Sequence, residues 1–378
     1  MALFARRALL GTLAASLAGA WSGPVLAQQP DIAVGAIEVL SGPNSAYGTA
    51  IRAGLELALT QINQSGILGG RKIRLFVEDS AGSKDQAVNA ARLLIGRDKV
   101  VSIIGPTLST EMFAAGPVAN ERHVPIIGTS TTANGVTAIG PYVFRTSLPE
   151  ADVIPVAFAR AQARGAKTIA LLYANDDAVS RSGFDVMKAA ATRLGLKILA
   201  TESFASKDTD FSAQLTKIRS LDPDAVGISA LVEPVSGVLL AARDLGFGPK
   251  TLFVGGNGSN SPKLGQIAGA AANGMIVASP WFIAKPDPLN TRFVAEFRAK
   301  YSKDPDQFAA QAYDTMFILA EAIARAGAAD PEKIRTALLA TNHDGVMGPF
   351  RFTDTRDPAE TKGVVVLQMN NGAFTIAP

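Results

Sequence analysis

Cysteine is absent from the 378 residues, which excludes disulfides, thiolate metal sites, a cysteine nucleophile and a lipid-modified N-terminal cysteine. Histidine is nearly absent: His123 and His343 are the two present, and neither stands near a serine or an acid in a catalytic order, which argues against a serine hydrolase. The G-x-S-x-G elbow, H-E-x-x-H, G-x-x-x-x-G-K-[ST] and G-x-G-x-x-G are also missing. With them go the hydrolase, zinc, nucleotide and dinucleotide signatures. No metal or cofactor is expected, and no enzyme activity. An excess of one charge is lacking too. There are 36 Lys and Arg against 33 Asp and Glu, and Arg6 and Arg7 lie in an N-terminal leader without acids, leaving 34 against 33. No basic cluster with interleaved aromatics occurs, so nucleic acid is not implied.

Long apolar runs are scarce as well. The longest, residues 8–20, follows Arg6-Arg7 and precedes the small-residue ending Val25-Leu-Ala27, the pattern of a cleaved secretory leader over 1–27. It is shorter than the roughly 20 residues a membrane span needs. The stretch Ala5-Arg-Arg-Ala-Leu-Leu10 fits a twin-arginine signal only loosely, so Sec export is expected. Export without a lipid-bearing cysteine or a membrane helix points to a soluble periplasmic protein. A chain of 378 residues, less that leader, exceeds what one hydrophobic core usually supports, and two domains are expected.

Strand-like and helix-like segments alternate, which predicts parallel sheets covered by helices. Residues 32–39 read as a strand, followed by a helix from about 49 with Ile51, Leu55, Ala58 and Ile62 on one face and a stop at Gly66. A strand over 73–78 and a helix over 84–97 come next, and the series runs on to residue 144. The pattern then restarts, with strands at 168–173, 197–203, 225–229 and 251–254 alternating with helices near 183–194, 210–221 and 234–245. Three helices, 288–301, 306–326 and 331–340, precede short strands at 350–353, 363–369 and 373–376. Two similar α/β lobes account for the restart better than one large sheet.

Two hydroxyl-rich loops are the most informative features present. Residues 105–110 (Gly-Pro-Thr-Leu-Ser-Thr) and 128–135 (Gly-Thr-Ser-Thr-Thr-Ala-Asn-Gly) each follow an apolar run, 100–104 and 124–127, that reads as a buried strand. Ser109, at the start of a helix expected over 111–121, offers a backbone N–H and a hydroxyl at the positive end of a helix dipole. Singly, such residues cap helices and tighten turns. Two such loops on neighbouring βα units point instead to a receptor for a carboxylate, since ligands of doubly wound sheets bind beyond the carboxyl ends of strands. Asp176-Asp177 and Asp222-Pro-Asp224 read as loop or turn residues, and Tyr47 and Tyr173 as either core or pocket.

The segment 40–48 (Leu-Ser-Gly-Pro-Asn-Ser-Ala-Tyr-Gly), the helix with Gly54 and Ala58 leading to Ile62-Asn63, Leu68-Gly-Gly70 and Val77-Glu-Asp79 occur in that order. They are followed by the two loops, Phe144-Arg-Thr146, Asp210-Phe-Ser212, 242–246 (Ala-Arg-Asp-Leu-Gly), Ile267-Ala-Gly269 and Gly348-Pro-Phe350. Together these resemble the leucine/isoleucine/valine-binding proteins of ABC importers, over essentially the whole chain after the leader. The resemblance implies a type I periplasmic binding protein: two Rossmann-like lobes, parallel sheets flanked by helices, joined by three hinge crossovers. By comparison the N-terminal lobe takes 28–149 and 281–362, and the C-terminal lobe 150–280 and 363–378.

The resemblance also implies a site in the cleft between the lobes. Ser109 matches the serine of the first loop, Ser130 and Thr132 the carboxylate contacts of the second, and Tyr47 an aromatic residue bordering the cleft. The C-terminal lobe departs from the amino-acid-binding pattern. Val179, in 178–183 (Ala-Val-Ser-Arg-Ser-Gly), stands where many members have a tyrosine, and Leu231 where an aromatic often stands. Asn257 aligns with the acid that pairs with an α-ammonium group. Glu233, in the adjacent loop, is the candidate to compensate, but reads more simply as an exposed helix-start glutamate. The expected role is capture of a small carboxylate by hinge closure and delivery to a membrane permease, by a monomer. A branched-chain or other hydrophobic amino acid is the family default; an aromatic or aliphatic carboxylate lacking the amine is the close alternative. A ligand sensor and an exported hydrolase are the rival classes.

Overall fold

Short apolar strands and amphipathic helices do alternate along this chain, and the alternation builds two separate sheets. The computed structural model describes residues 30–359 and 363–378; the leader expected at 1–27 lies outside them. The first series is β1 (Ile32–Glu38), α1 (Ser45–Ser65), β2 (Ile73–Asp79), α2 (Lys84–Gly96), β3 (Ile103–Ile104), α3 (Ser109–Glu121), β4 (Ile126–Gly128) and β5 (Val143–Arg145). Its strands form a parallel sheet in the order β2-β1-β3-β4-β5.

The second series is α4 (Glu150–Ala163), β6 (Thr168–Ala174), α5 (Ala178–Arg193), β7 (Lys197–Phe204), α6 (Ser212–Ser220), β8 (Ala225–Ser229), α7 (Val232–Asp244), β9 (Leu252–Gly255), α8 (Pro262–Ala268) and β10 (Ile276–Ser279). Its five strands repeat the first order, as β7-β6-β8-β9-β10, and pair in parallel. The chain then leaves this sheet for α9 (Pro288–Tyr301), α10 (Gln307–Ala326), α11 (Pro331–Leu339) and a small hairpin, β11 (His343–Gly345) with β12 (Gly348–Phe350). Helix α10 packs along α1, and α11 on α10, so this segment completes the cover of the first sheet. Finally β13 (Val365–Asn370) and β14 (Ala373–Ile376) return to the second sheet and extend it antiparallel beyond β10.

Local chemistry explains most of the boundaries. Helices α9 and α11 begin with Asp-Pro: Asp287 and Asp330 accept from backbone N–H groups of the first turn, and Pro288 and Pro331 occupy the first helical position, where a missing N–H costs nothing. Asp306 caps α10. Gly66 and Gly327 end α1 and α10 in the left-handed conformation, as the Gly66 stop predicts.

Three readings need correction. Strand β10 has no counterpart among the expected strands, because four buried residues without alternation give no period of two. Helix α5 begins at Ala178 rather than near 183, since Asp177 accepts from Ser180 N and caps a turn that the serines obscure. Strand β3 is reduced to two residues, shorter than the apolar run that contains it.

Both sheets share an order that reverses direction beside their first strand, and at such a switch point the loops beyond the carboxyl ends of the strands open a crevice. The loops after β1, β3 and β4 of one sheet face those after β6, β8 and β9 of the other, as the hydrogen bonds below show.

Candidate ligand-binding site

The first loop leaves β3 through Gly105, whose φ of +100° suits glycine and whose Cβ, if present, would lie 2.3 Å from the Ile37 carbonyl oxygen. That close approach carries the chain over the end of β1 and sets Thr107 beside it. The Thr107 hydroxyl donates to Glu38 Oε2 at 2.5 Å and accepts from Val39 N at 3.0 Å. Ser109 is the first residue of α3, so its N–H belongs to the helix-start donors without an intrahelical acceptor. Its hydroxyl accepts from Ala133 N at 3.2 Å, tying the first loop to the second. In the second loop Ser130 donates to the Thr107 carbonyl at 2.5 Å.

Arg145 braces the second loop from beneath. It is buried, donates to the carbonyls of Thr131 and Ala133 at 3.2 and 2.7 Å, and pairs with Asp357 at 2.5 Å. The two loops are therefore held by each other and by a guanidinium already neutralised. This presents hydroxyls and N–H groups, rather than a formal charge, to the cleft.

Four residues on the side of the first sheet, Tyr47, Thr110, Asn134 and Gln307, form hydrogen bonds across the cleft. Tyr47, on α1, donates to the Gly258 carbonyl at 2.5 Å and accepts from Val232 N at 2.8 Å; burial, then the nearby Glu233, raises its phenol pKa well above the ordinary value. Thr110 donates to Asp177 at 2.7 Å, and Ala178 N donates to Thr110 at 2.9 Å. Asn134 N donates to Ser182 at 2.8 Å. Gln307, from α10, donates to Asn257 Oδ1 at 2.9 Å and accepts from Asn260 at 2.7 Å.

The seven residues expected at the site, Tyr47, Ser109, Ser130, Thr132, Val179, Leu231 and Asn257, all border one small cavity, with Thr107, Leu108, Gly258 and Phe308 completing its lining. Its free volume is about 20 Å³, room for about one water molecule; larger depressions lie elsewhere on the surface. A solute the size of an amino acid requires the two sides to separate and close again around it. None of the eleven lining residues carries a formal charge. One end is polar, around Ser109, Ser130, Thr132 and Asn257. The other is apolar: Val179 packs against the core of the first sheet, Leu231 against a cluster that draws on both sheets, and Phe308 meets the Tyr47 ring edge-on at 4.9 Å.

Several residues at or behind this wall escape sequence reasoning. Thr107 and Leu108 belong to the first hydroxyl-rich loop; Phe308 comes from α10, far along the chain from that loop, and gives no local signal. Glu150, at the start of α4, lies behind Thr132 and Asn257 and is fully buried. Glu233 is not the exposed residue expected: it is half-buried, both carboxylate oxygens are shielded from solvent, and burial raises its pKa. Asp177 caps α5 and bridges the cleft rather than merely turning the chain. Tyr173 stacks on Phe184 at 4.1 Å and does not border the cavity. Both histidines lie outside the lining: His123 stacks on Tyr142, while burial of His343 is outweighed by Asp314 and Glu321, which hold its pKa up to about 9. Among the described residues no acidic, histidine or cysteine cluster could hold a metal ion.

Comparison with known proteins matches this arrangement. A family model described as periplasmic binding protein covers residues 31–373. The leucine-, isoleucine-, valine-, threonine-, and alanine-binding protein of Pseudomonas aeruginosa is 29% identical over 363 residues, 94% of this chain and 92% of that protein. The branched-chain amino acid transporter substrate-binding protein LivJ of Streptococcus pneumoniae, solved in complex with isoleucine, superposes with a TM-score of 0.85 at 28% identity, over 91% of this chain and 97% of that chain. A solute-binding protein of an ABC transporter from R. palustris, solved in complex with benzoate, shares the fold with a TM-score of 0.83 at 23% identity, over 92% and 95%. The chain belongs to the periplasmic binding protein family, as a type I member of its Leu/Ile/Val-binding group.

Proposed function

We propose that this protein is the substrate-binding component of an ABC importer, capturing a small carboxylate-bearing solute in the cleft and presenting it to a membrane permease from the periplasm. The observation that carries the reading is the convergence of seven residues, from separate segments on both sheets, on one uncharged cavity. Ser109 and the helix start behind it, with Ser130 and Thr132, take the carboxylate; Val179, Leu231, Tyr47 and Phe308 receive an apolar body. The lobes are 28–149 with 281–362 and 150–280 with 363–378, and rotation about the three crossovers opens and closes the cleft. No described helix is long and apolar enough to cross a membrane, and the leader at 1–27 would supply export.

A hydrophobic amino acid is the first expectation, supported by the Pseudomonas and Streptococcus relatives. An aromatic or aliphatic acid without the amine is favoured by one observation: Asn257, neutral and already engaged by Gln307, stands where an acid would meet an ammonium group. A thermal-shift screen of amino acids beside aromatic and aliphatic acids tests the function, because a ligand that binds only the native state raises the melting temperature. A rise with at least one acid is expected. Flat melting curves across the panel, or turnover of esters and amides, contradict the reading.

Tyr47→Phe probes closure separately. The substitution keeps the ring against Phe308 but removes a bond to Gly258 and strands the buried Val232 N–H, which disfavours the closed arrangement by about 1–3 kcal/mol. Affinity in calorimetry should fall about five- to a hundred-and-fifty-fold as closure weakens. Affinity equal to that of the unaltered protein counts against a closure role for Tyr47.

A further inference from the structure

Glu150 is the least explained charged group near the cavity. It opens α4, immediately after the chain has left the first sheet, and is 2% exposed. Its Oε1 lies 3.1 Å from the Thr132 hydroxyl and its Oε2 3.3 Å from Asn257 N, while its own N–H donates to the Thr132 carbonyl at 3.0 Å. Thr132 comes from the first sheet and Asn257 from the second, and both border the cavity. Glu150 therefore stands one layer behind the polar wall, bonded to both sides of it.

Two charged groups act on it. Arg145 approaches from β5, but its guanidinium is committed to Asp357 and two carbonyls. Asp177, the cap of α5, adds a like charge. Burial dominates: it lifts the carboxyl pKa to about 7, against the pull of Asn257 N–H, Thr132 and Arg145. Near neutrality the proton on Glu150 can thus be kept or lost at small cost.

A bound solute decides between the two. With a carboxylate at the start of α3, a second buried anion nearby is unfavourable, so a ligand that brings only a negative charge leaves Glu150 protonated. A zwitterion adds a cation, and with that cation at the Thr132 and Asn257 wall an ionised Glu150, one layer behind and bonded to both residues, balances it. We propose that Glu150 is the specificity-determining charge of this site: it keeps its proton when an amine-free carboxylate is bound and releases it when the ligand carries an ammonium group, taking the part of the acid that Asn257 replaces. This inference rests on the carboxylate-binding reading above.

Calorimetry at pH 7, repeated in buffers of different ionisation heat, counts the protons exchanged. Benzoate should bind with proton uptake and lose affinity above pH 7, approaching about tenfold per pH unit. Leucine should bind with proton release and gain affinity as the pH rises toward 7. Glu150→Gln should abolish both exchanges and weaken leucine more than benzoate; Glu150→Asp, which keeps a carboxyl, should retain exchange of the same sign. Glu111, in the first turn of α3 and with a pKa that burial also raises to about 7, is the rival proton site: exchange lost in Glu111→Gln and kept in Glu150→Gln assigns the proton to Glu111 and overturns this inference. Binding without proton exchange, or an exchange that survives Glu150→Gln, overturns this inference alone. If no acid and no amino acid binds, the carboxylate reading fails and this inference falls with it. If only one of the two ligands binds, the sign of its exchange decides.

Discussion

Replacing Gly54 with alanine should lower the stability of this protein by about 3 kcal/mol or more, the upper end of what overpacking costs. In an exposed helix interior the same change would help, by roughly 1 kcal/mol, because alanine is the better helix former. Here the sign reverses. Gly54 lies on the face of α1 that meets α10, and a Cβ would stand 2.1 Å from the Ala309 carbonyl oxygen and 2.9 Å from its carbon. Those are backbone atoms of a buried helix, so no side chain can turn aside and the two helices must separate. Because Phe308 borders the cavity from the same turn of α10, affinity should fall along with stability. Urea unfolding of Gly54→Ala, beside Gly96→Ala where nothing lies within 4 Å of the added methyl, measures the difference. Equal midpoints would show that α1 and α10 tolerate separation and that the contact is not the constraint described.

Ser109→Ala is expected to have the largest effect on ligand binding. A hydrogen bond to a charged group contributes about 1.5–3 kcal/mol, which corresponds to a loss of roughly ten- to a hundred-and-fifty-fold in affinity. The hydroxyl has a structural duty as well, accepting from Ala133 N, so some stability should be lost with it, on the order of 1 kcal/mol. Measuring both separates the roles: melting in the absence of ligand reports the bond to Ala133, and calorimetry with the best acid from the screen reports the carboxylate. Wild-type affinity in Ser109→Ala would remove this residue from the site. A loss of affinity no larger than the loss of stability explains would assign it to the scaffold.

The sequence carries the architecture because the architecture is written in local terms. The two series of βα units, the Asp-Pro helix starts at residues 287–288 and 330–331 and the Gly66 stop depend on periods and caps within a few residues. The hydroxyl loops are legible for the same reason, since each is a contiguous string with an apolar run before it. What local reading cannot supply is the pairing of distant segments. Phe308 joins the cavity wall only because α10 packs on α1. Glu233 becomes half-buried because the first residues of α7 meet the other half of the molecule, and Glu150 looks like an ordinary helix-start acid until the turn of Asn257 closes over it. Strand β10 fails for a different cause: a strand buried on both faces has no polar phase to alternate with.

The two sheets are interleaved along the chain rather than consecutive. Helices α9, α10 and α11 complete the first only after β10 of the second has been made, and β13 and β14 complete the second only after those helices. Such order makes for many contacts between remote segments, which slows folding. A nascent copy lacking its last ninety or so residues, from α9 onward, holds two unfinished halves, each with apolar surface still uncovered. A chain that commits itself so late stays threadable for longer, an asset to any polypeptide that must travel through a narrow translocation channel before it acquires its shape.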